Sequence, residues 1–159
     1  MNKNDNHIRF MREAIKEGRK ALKSEDVPVG AVVVQQDRII GRGHNQIELL
    51  KDPTAHAEMI AITSAAATIG EKWLRDATLY VTVEPCSMCA GASVLARLKR
   101  IVYGVQDIKT GAHSSLFNLL NDPRLNHQVE VIPGILREEC SFLMMDFFEN
   151  LRKKNGKTD

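Results

Sequence analysis

Two short stretches, His56-Ala57-Glu58 and Pro85-Cys86-Ser87-Met88-Cys89, place the tightest constraint on how this chain can fold. An imidazole and two thiolates are donors that zinc accepts well. Cys86 and Cys89 are three residues apart, so on a helix they share one face and reach a single ion. His56 has to come from a different helix, so two elements must meet at their starting ends. A closed structural zinc site takes four protein ligands, whereas a catalytic one keeps a position for water. The third thiol, Cys140, sits in the amphipathic stretch Glu138-Glu139-Cys140-Ser141-Phe142-Leu143-Met144, where a buried, inert cysteine is the commoner outcome. Glu58 is near enough in sequence to be a fourth ligand, but a carboxylate beside a bound water is worth more as a proton carrier. The reading is three ligands, an open position and a base.

Both stretches open helices. Helix N-termini carry partial positive charge and free N–H groups, which favour thiolates and a developing oxyanion. Such a site suits attack by water on an electron-poor sp² carbon, followed by loss of a leaving group.

The rest of the composition is ordinary. The chain has 159 residues, 43% hydrophobic and 26% charged, which argues for one globular domain, 1–159, and against wholesale disorder. Three cysteines, an odd count with two in a Cys-x-x-Cys pair, suit a metal better than a disulfide framework. The N-terminus has no apolar signal-like core, and no run approaches the ~20 apolar residues a membrane span needs, so a cytoplasmic protein without a membrane partner is expected. A net charge of +2 permits nucleic-acid binding without predicting it.

Patterning organises the chain. Ile8, Met11, Ile15 and Leu22, with Ala14 and Ala21 beside them, have helical spacing, and the Arg and Lys residues between them read as a solvated face. Residues 27–34 read as a buried strand, Gln35, Gln36 and Asp37 as a turn, and residues 38–41 as the returning strand of a hairpin. A helix is expected over residues 55–69, stopped by Gly70. Strands follow at 78–83, 100–104 and 129–132, with helices at 86–98 and about 138–153. Strand–helix–strand order in the middle predicts parallel pairing, with helices on both sheet faces. Residues 106–128 have no period, and a loop of that length is the first place to look for substrate contacts. The basic run from Arg152 reads as a frayed tail, and His7, His113 and His127 as surface or substrate-contact residues.

The HAE and PCSMC stretches together resemble the signature of zinc-dependent nucleobase deaminases. The likeness extends to DVPVGAVVV, GRGHN, DPTAHAEMIAI, DATLYVTVEPCSMCAGA, DIKTGA and NHQVEV, which are similar to the bacterial tRNA adenosine deaminases that convert the wobble adenosine to inosine. The resemblance implies a three-layer α/β/α, cytidine deaminase-like fold with a mixed, mostly parallel five-stranded sheet. It implies one zinc ion per subunit on His56, Cys86 and Cys89, with Glu58 as proton shuttle. Asn45 would hydrogen-bond the flipped base, and Val27, Pro28 and Ala57 would wall its pocket. His44 stands where some relatives carry an aromatic residue. Asp107 and Lys109 would contact flanking nucleotides, and Phe147 and Phe148 would line the RNA path. A homodimer and a tRNA anticodon loop, that of a tRNA-arginine, are the implied partners. Deamination of a free base such as guanine or cytosine shares the same zinc chemistry, and a non-enzymatic zinc module would need a fourth ligand.

Overall fold

Alternation along β1 (Gly30–Gln35) sends its side chains into two separate cores, Ala31 and Val33 to one and Val32 and Val34 to the other. A strand buried on both faces reads as an unbroken apolar run, as Ala31-Val32-Val33-Val34 does. The same alternation holds in β3 (Thr78–Val83) and β4 (Arg100–Val105): Leu79, Val81, Ile101 and Tyr103 face one core, Tyr80 and Val102 the other. Helices α3 (Ala57–Ile69) and α4 (Ser87–Leu95) close the first core with Ala57, Ala61, Ala65, Ala90 and Val94. Helices α1 (Lys3–Lys20) and α5 (Arg137–Lys154) close the second with Phe10, Met11, Ala14, Ile15, Cys140 and Leu143. The layers are therefore α/β/α, as expected. The structure is a computed structural model describing residues 2–156; Met1 and residues 157–159, which include Lys157 of the basic tail, lie outside the described residues.

The sheet order is β2-β1-β3-β4-β5, with β2 at Arg38–His44 and β5 at Glu130–Ile132. β1 pairs antiparallel with both β2 and β3, while β3, β4 and β5 pair in parallel. One strand, β1, thus runs against the other four, and the sheet is mixed. This direction pattern places the site. The chain leaves β2, β3 and β4 at the same end of the sheet, and it enters β1 there too.

Several boundaries differ from the sequence expectation, each for a local reason. The first strand begins at Gly30; Val27, Pro28 and Val29 precede it, with the Val29 N–H turned back onto the Val27 carbonyl at 2.8 Å. The second strand continues past Gly41 to His44 because α3 lies directly on it. A Cβ on Gly43 would stand 2.3 Å from the Ala57 carbonyl oxygen, closer than any side chain allows. The hairpin turns at Gln36 and Asp37, both left-handed, which matches the strand twist. The first helix starts at Lys3, five residues before Ile8, because Asn2 and Asp5 form a capping box; Leu22 falls beyond it and is exposed. α3 starts at Ala57 with His56 as N-cap, and α4 stops at Leu95 because Arg97 turns left-handed. A four-residue helix, α2 (Ile47–Leu50), had no period long enough to predict it. Among the described residues no helix is long and apolar enough to cross a membrane.

Candidate active site

His56 and Cys86 occupy equivalent positions, each the N-cap of its helix and each without a side-chain capping bond. β3 delivers the chain straight into α4 through Glu84 and Pro85, and α3 begins at the same end of the sheet. The result is that His56 Nδ1 stands 3.6 Å from the sulfur of Cys86 and 3.6 Å from that of Cys89. All three donor atoms lie within 4.8 Å of one another, and no other such group of three occurs among the described residues. Zn–S bonds of ~2.3 Å and Zn–N bonds of ~2.0–2.1 Å at a tetrahedral angle separate sulfur and nitrogen by about 3.6 Å. The residues present fit a tetrahedral divalent ion. Cys140 takes no part: it lies in the opposite core, its sulfur against Gly104, and burial pushes its thiol up to about 12.

The electrostatics favour a thiolate at Cys86 alone of the two thiols. The neighbouring Cys89 thiol brings Cys86 down to about 4 against the effect of burial, with His56 assisting. Contact with Cys86 raises the pKa of His56 and, together with burial, that of Cys89. Glu58, in the first turn of α3, is only 4% exposed, and burial pushes its carboxyl upward. A carboxyl raised in this way sits closer to neutrality, where a proton shuttle works best.

A cavity of about 230 Å³ opens over these groups, and Val27, Asn45, Asp107 and Phe148 line it together with His56, Glu58 and Cys86. The Oδ1 of buried Asn45 accepts the Ala57 N–H at 2.9 Å, leaving its amide NH2 as the group free to meet a ligand. Ala57 is fully buried in the core. Pro28 is buried with its carbonyl against Gly18 of α1. His44 turns the other way, its Nδ1 3.7 Å from the buried Glu17 carboxylate. Lys109 lies in an adjoining groove of about 560 Å³ with Met145 and Arg152; Met144 and Phe148 line both spaces. Phe147 forms an edge contact with Phe148. The structure thus brings together Val27, Asn45, Asp107 and Phe148 around the donor triad and keeps Pro28, Ala57, His44 and Lys109 off the cavity wall.

Sequence reading overlooked two lining residues of consequence, Glu84 and Thr110. Glu84 is 2% exposed and accepts hydrogen bonds from the loop after β4. Burial works to raise its carboxyl, but these donors, the Ser115 hydroxyl foremost, hold it below the ordinary range. A carboxylate at the end of an apolar strand, next to a ligand turn, was the available signal. The three remaining histidines are tied down internally: His7 to the Tyr80 hydroxyl at 2.8 Å, His113 to that of Tyr103 at 3.1 Å, and His127 to the Leu98 carbonyl at 2.7 Å.

Comparison with known proteins agrees with this geometry. Residues 5–152 match the family profile described as MafB19-like deaminase. A tRNA-specific adenosine deaminase of Bacillus subtilis (strain 168) is 50% identical over 145 residues, 91% of this chain and 90% of the relative. Another from Aquifex aeolicus (strain VF5) is 45% identical over 145 residues, 90% of this chain and 94% of the relative. A solved structure from work on A-to-I editing by tRNA:A34 deaminases at the wobble position of transfer RNA superposes with a TM-score of 0.81 at 41% identity, covering 85% of this chain and 98% of that one. A guanine deaminase from Nitrosomonas europaea shares the fold, with a TM-score of 0.75 at 22% identity over 87% of this chain and 82% of its own. With a metal-competent triad, a buried carboxyl beside it and these relatives over nearly its whole length, the chain belongs to the MafB19-like deaminases, among the tRNA-specific adenosine deaminases.

Proposed function

We propose that this protein hydrolytically deaminates the wobble adenosine of a tRNA anticodon loop to inosine, with one zinc ion per subunit held by His56 Nδ1, Cys86 and Cys89. The observation that carries the reading is the juxtaposition of a three-donor cluster with the buried carboxyl of Glu58 at one cavity. When bound, zinc lowers the pKa of a coordinated water from 15.7 to about 7, which makes a nucleophile available at neutral pH.

The chain's own residues do the rest. Glu58 takes the proton from the attacking water and delivers it to N1 of adenine. As the water oxygen bonds to C6, Glu58, again a carboxylate, takes the second proton from the new C6 hydroxyl and passes it to the amino group, so the C6–N bond breaks, ammonia leaves and inosine remains. The Asn45 amide NH2 orients the base, since its oxygen is already committed to Ala57. Val27 and Phe148 supply apolar wall, and the adjoining groove with Lys109 and Arg152 carries the flanking nucleotides. The target carbon cannot be reached inside a stacked duplex, and a single-stranded loop presents its base at low unstacking cost. A tRNA-arginine anticodon is the proposed substrate, a homodimer the proposed assembly and the cytoplasm the proposed location.

The test is parallel incubation with a tRNA-arginine anticodon stem-loop, free adenosine and free guanine, read by mass spectrometry. Loss of an amino group from the stem-loop alone is the expected result. Preferential turnover of guanine would replace the RNA reading with a free-base one.

A further inference from the structure

We infer that Glu84 is a positioning residue for the reaction: its buried carboxylate holds the loop of residues 106–115 against the ligand turn and so fixes one wall of the substrate cavity. The inference rests on the deaminase reading. Five donors converge on this one side chain. The Asp107 N–H and the Ser115 hydroxyl reach Oε1 at 3.2 and 2.5 Å. The N–H groups of His113, Ser114 and Ser115 reach Oε2 at 2.9, 3.0 and 3.3 Å.

All five come from the loop that places Asp107 and Thr110 on the cavity wall. The carboxylate of Asp107 is itself occupied by the N–H groups of Lys109 and Thr110 and by the Thr110 hydroxyl, so it shapes the loop locally without fastening it to the body. The segment holding Glu84 continues directly into Pro85 and Cys86. The Pro85 carbonyl accepts the Ala112 N–H at 2.9 Å, and Cys86 bridges to Gly111. One short run of chain therefore supplies both a metal donor and the anchor of the substrate-facing wall.

Only a carboxylate satisfies this arrangement. Both its oxygens accept and neither donates, whereas a glutamine would turn an NH2 group onto some of the same donors. The seat is also filled: a Cβ on Gly111 would stand 2.3 Å from the carboxylate carbon. The contact of Tyr103 with His113 and the bond from the Ala112 N–H to the Pro85 carbonyl tie the loop to the body independently, so losing Glu84 is expected to displace it and leave the chain folded.

The experiment compares the metal-loaded parent with Glu84→Gln, Gly111→Ala, the double variant and the milder Ser115→Ala. It reads metal content, amide hydrogen exchange over residues 107–115, and KM and kcat on the anticodon stem-loop. Glu84→Gln is expected to keep its metal, lose exchange protection in the loop, and lose about 10- to 100-fold in kcat/KM, mostly through KM. Gly111→Ala should reproduce this from the opposite side, and the double variant should be no worse than either, because both break one contact. Ser115→Ala should show a smaller loss in the same direction, which keeps the test alive if Glu84→Gln fails to fold. Unchanged exchange with KM within about twofold of the parent in the variants that retain metal overturns the inference. So does loss of the metal from Glu84→Gln, or additive losses in the double variant. A parent that leaves the stem-loop untouched would sink the RNA reading, while the exchange data would still decide whether Glu84 holds the loop.

Discussion

The Ala57 N–H donates to Asn45 Oδ1 at 2.9 Å, which pins the residue between His56 and Glu58 to the chain leaving β2. Ala57 is the first residue of α3, and its amide is one the helix cannot satisfy internally. Asn45 therefore serves the helix start in place of His56, whose ring stays turned to the two sulfurs. Asn45→Ala should cost about 1 kcal/mol in urea unfolding, the scale of a lost cap. Its kcat/KM should fall by much more than that loss of stability explains. Activity that merely tracks stability would assign Asn45 to the cap alone.

Glu58 is buried beside the triad with its carboxyl pushed towards the neutral form. Glu58→Ala should retain zinc by elemental analysis and lose deamination by about 10²–10⁴-fold, the range a positioned acid/base contributes. Full activity would remove it as the shuttle.

The donor triad joins the start of α3 to that of α4, so an ion held there would couple metal binding to folding. His56→Ala and Cys86→Ala should both lose the ion and unfold at lower temperature. Chelation of the parent should lower its melting temperature in the same way. Unaltered metal content in either variant would break the ligand assignment.

A pH signature is expected far from the site, where His7 meets Tyr80. Burial, aided by Arg100, lowers the pKa of His7, so the native state resists its protonation; the stability this gives is present above about pH 6.5 and is lost as pH falls. Burial pushes Tyr80 up to about 12, so its contribution is present below its unfolded pKa near 10 and lost between about 10 and 12. Denaturant unfolding across this range should show both declines. Tyr80→Phe should flatten the alkaline one, and an unchanged alkaline limb would exclude Tyr80 as its source.

If Lys109 and Arg152 hold phosphates in the groove beside the cavity, turnover of the stem-loop should fall steeply with added salt. Turnover of free adenosine, however slow, should respond far less. Equal responses would confine recognition to the base.

Much of the molecule was readable because its signals are local. β3 at Thr78–Val83 was legible to the residue, since it is a short β-branched and aromatic run, buried on both faces, that stops at Glu84. Gly70 ends α3 in the left-handed conformation its position suggested. Donor type and spacing pointed to the three side chains that the structure brings within 4.8 Å of one another, and the thiol left over, Cys140, is buried where an amphipathic helix puts it. Val27 reads as strand by pattern and as pocket wall by resemblance; it lines the cavity and stands outside β1, because the chain turns at Val27–Val29 before pairing begins.

The chain's order alone marked Cys86 and Cys89 as a donor pair on one helix face and the apolar runs as strands, because these depend on neighbours within one or two turns. Only the packed sheet decided that β1 runs against its four companions, that His44 faces Glu17 and not the cavity, and that Glu84 collects donors from a loop more than twenty residues on. Those outcomes are contacts between distant segments. No periodicity encodes them, since a side chain's partner is chosen by the directions in which strands leave the sheet.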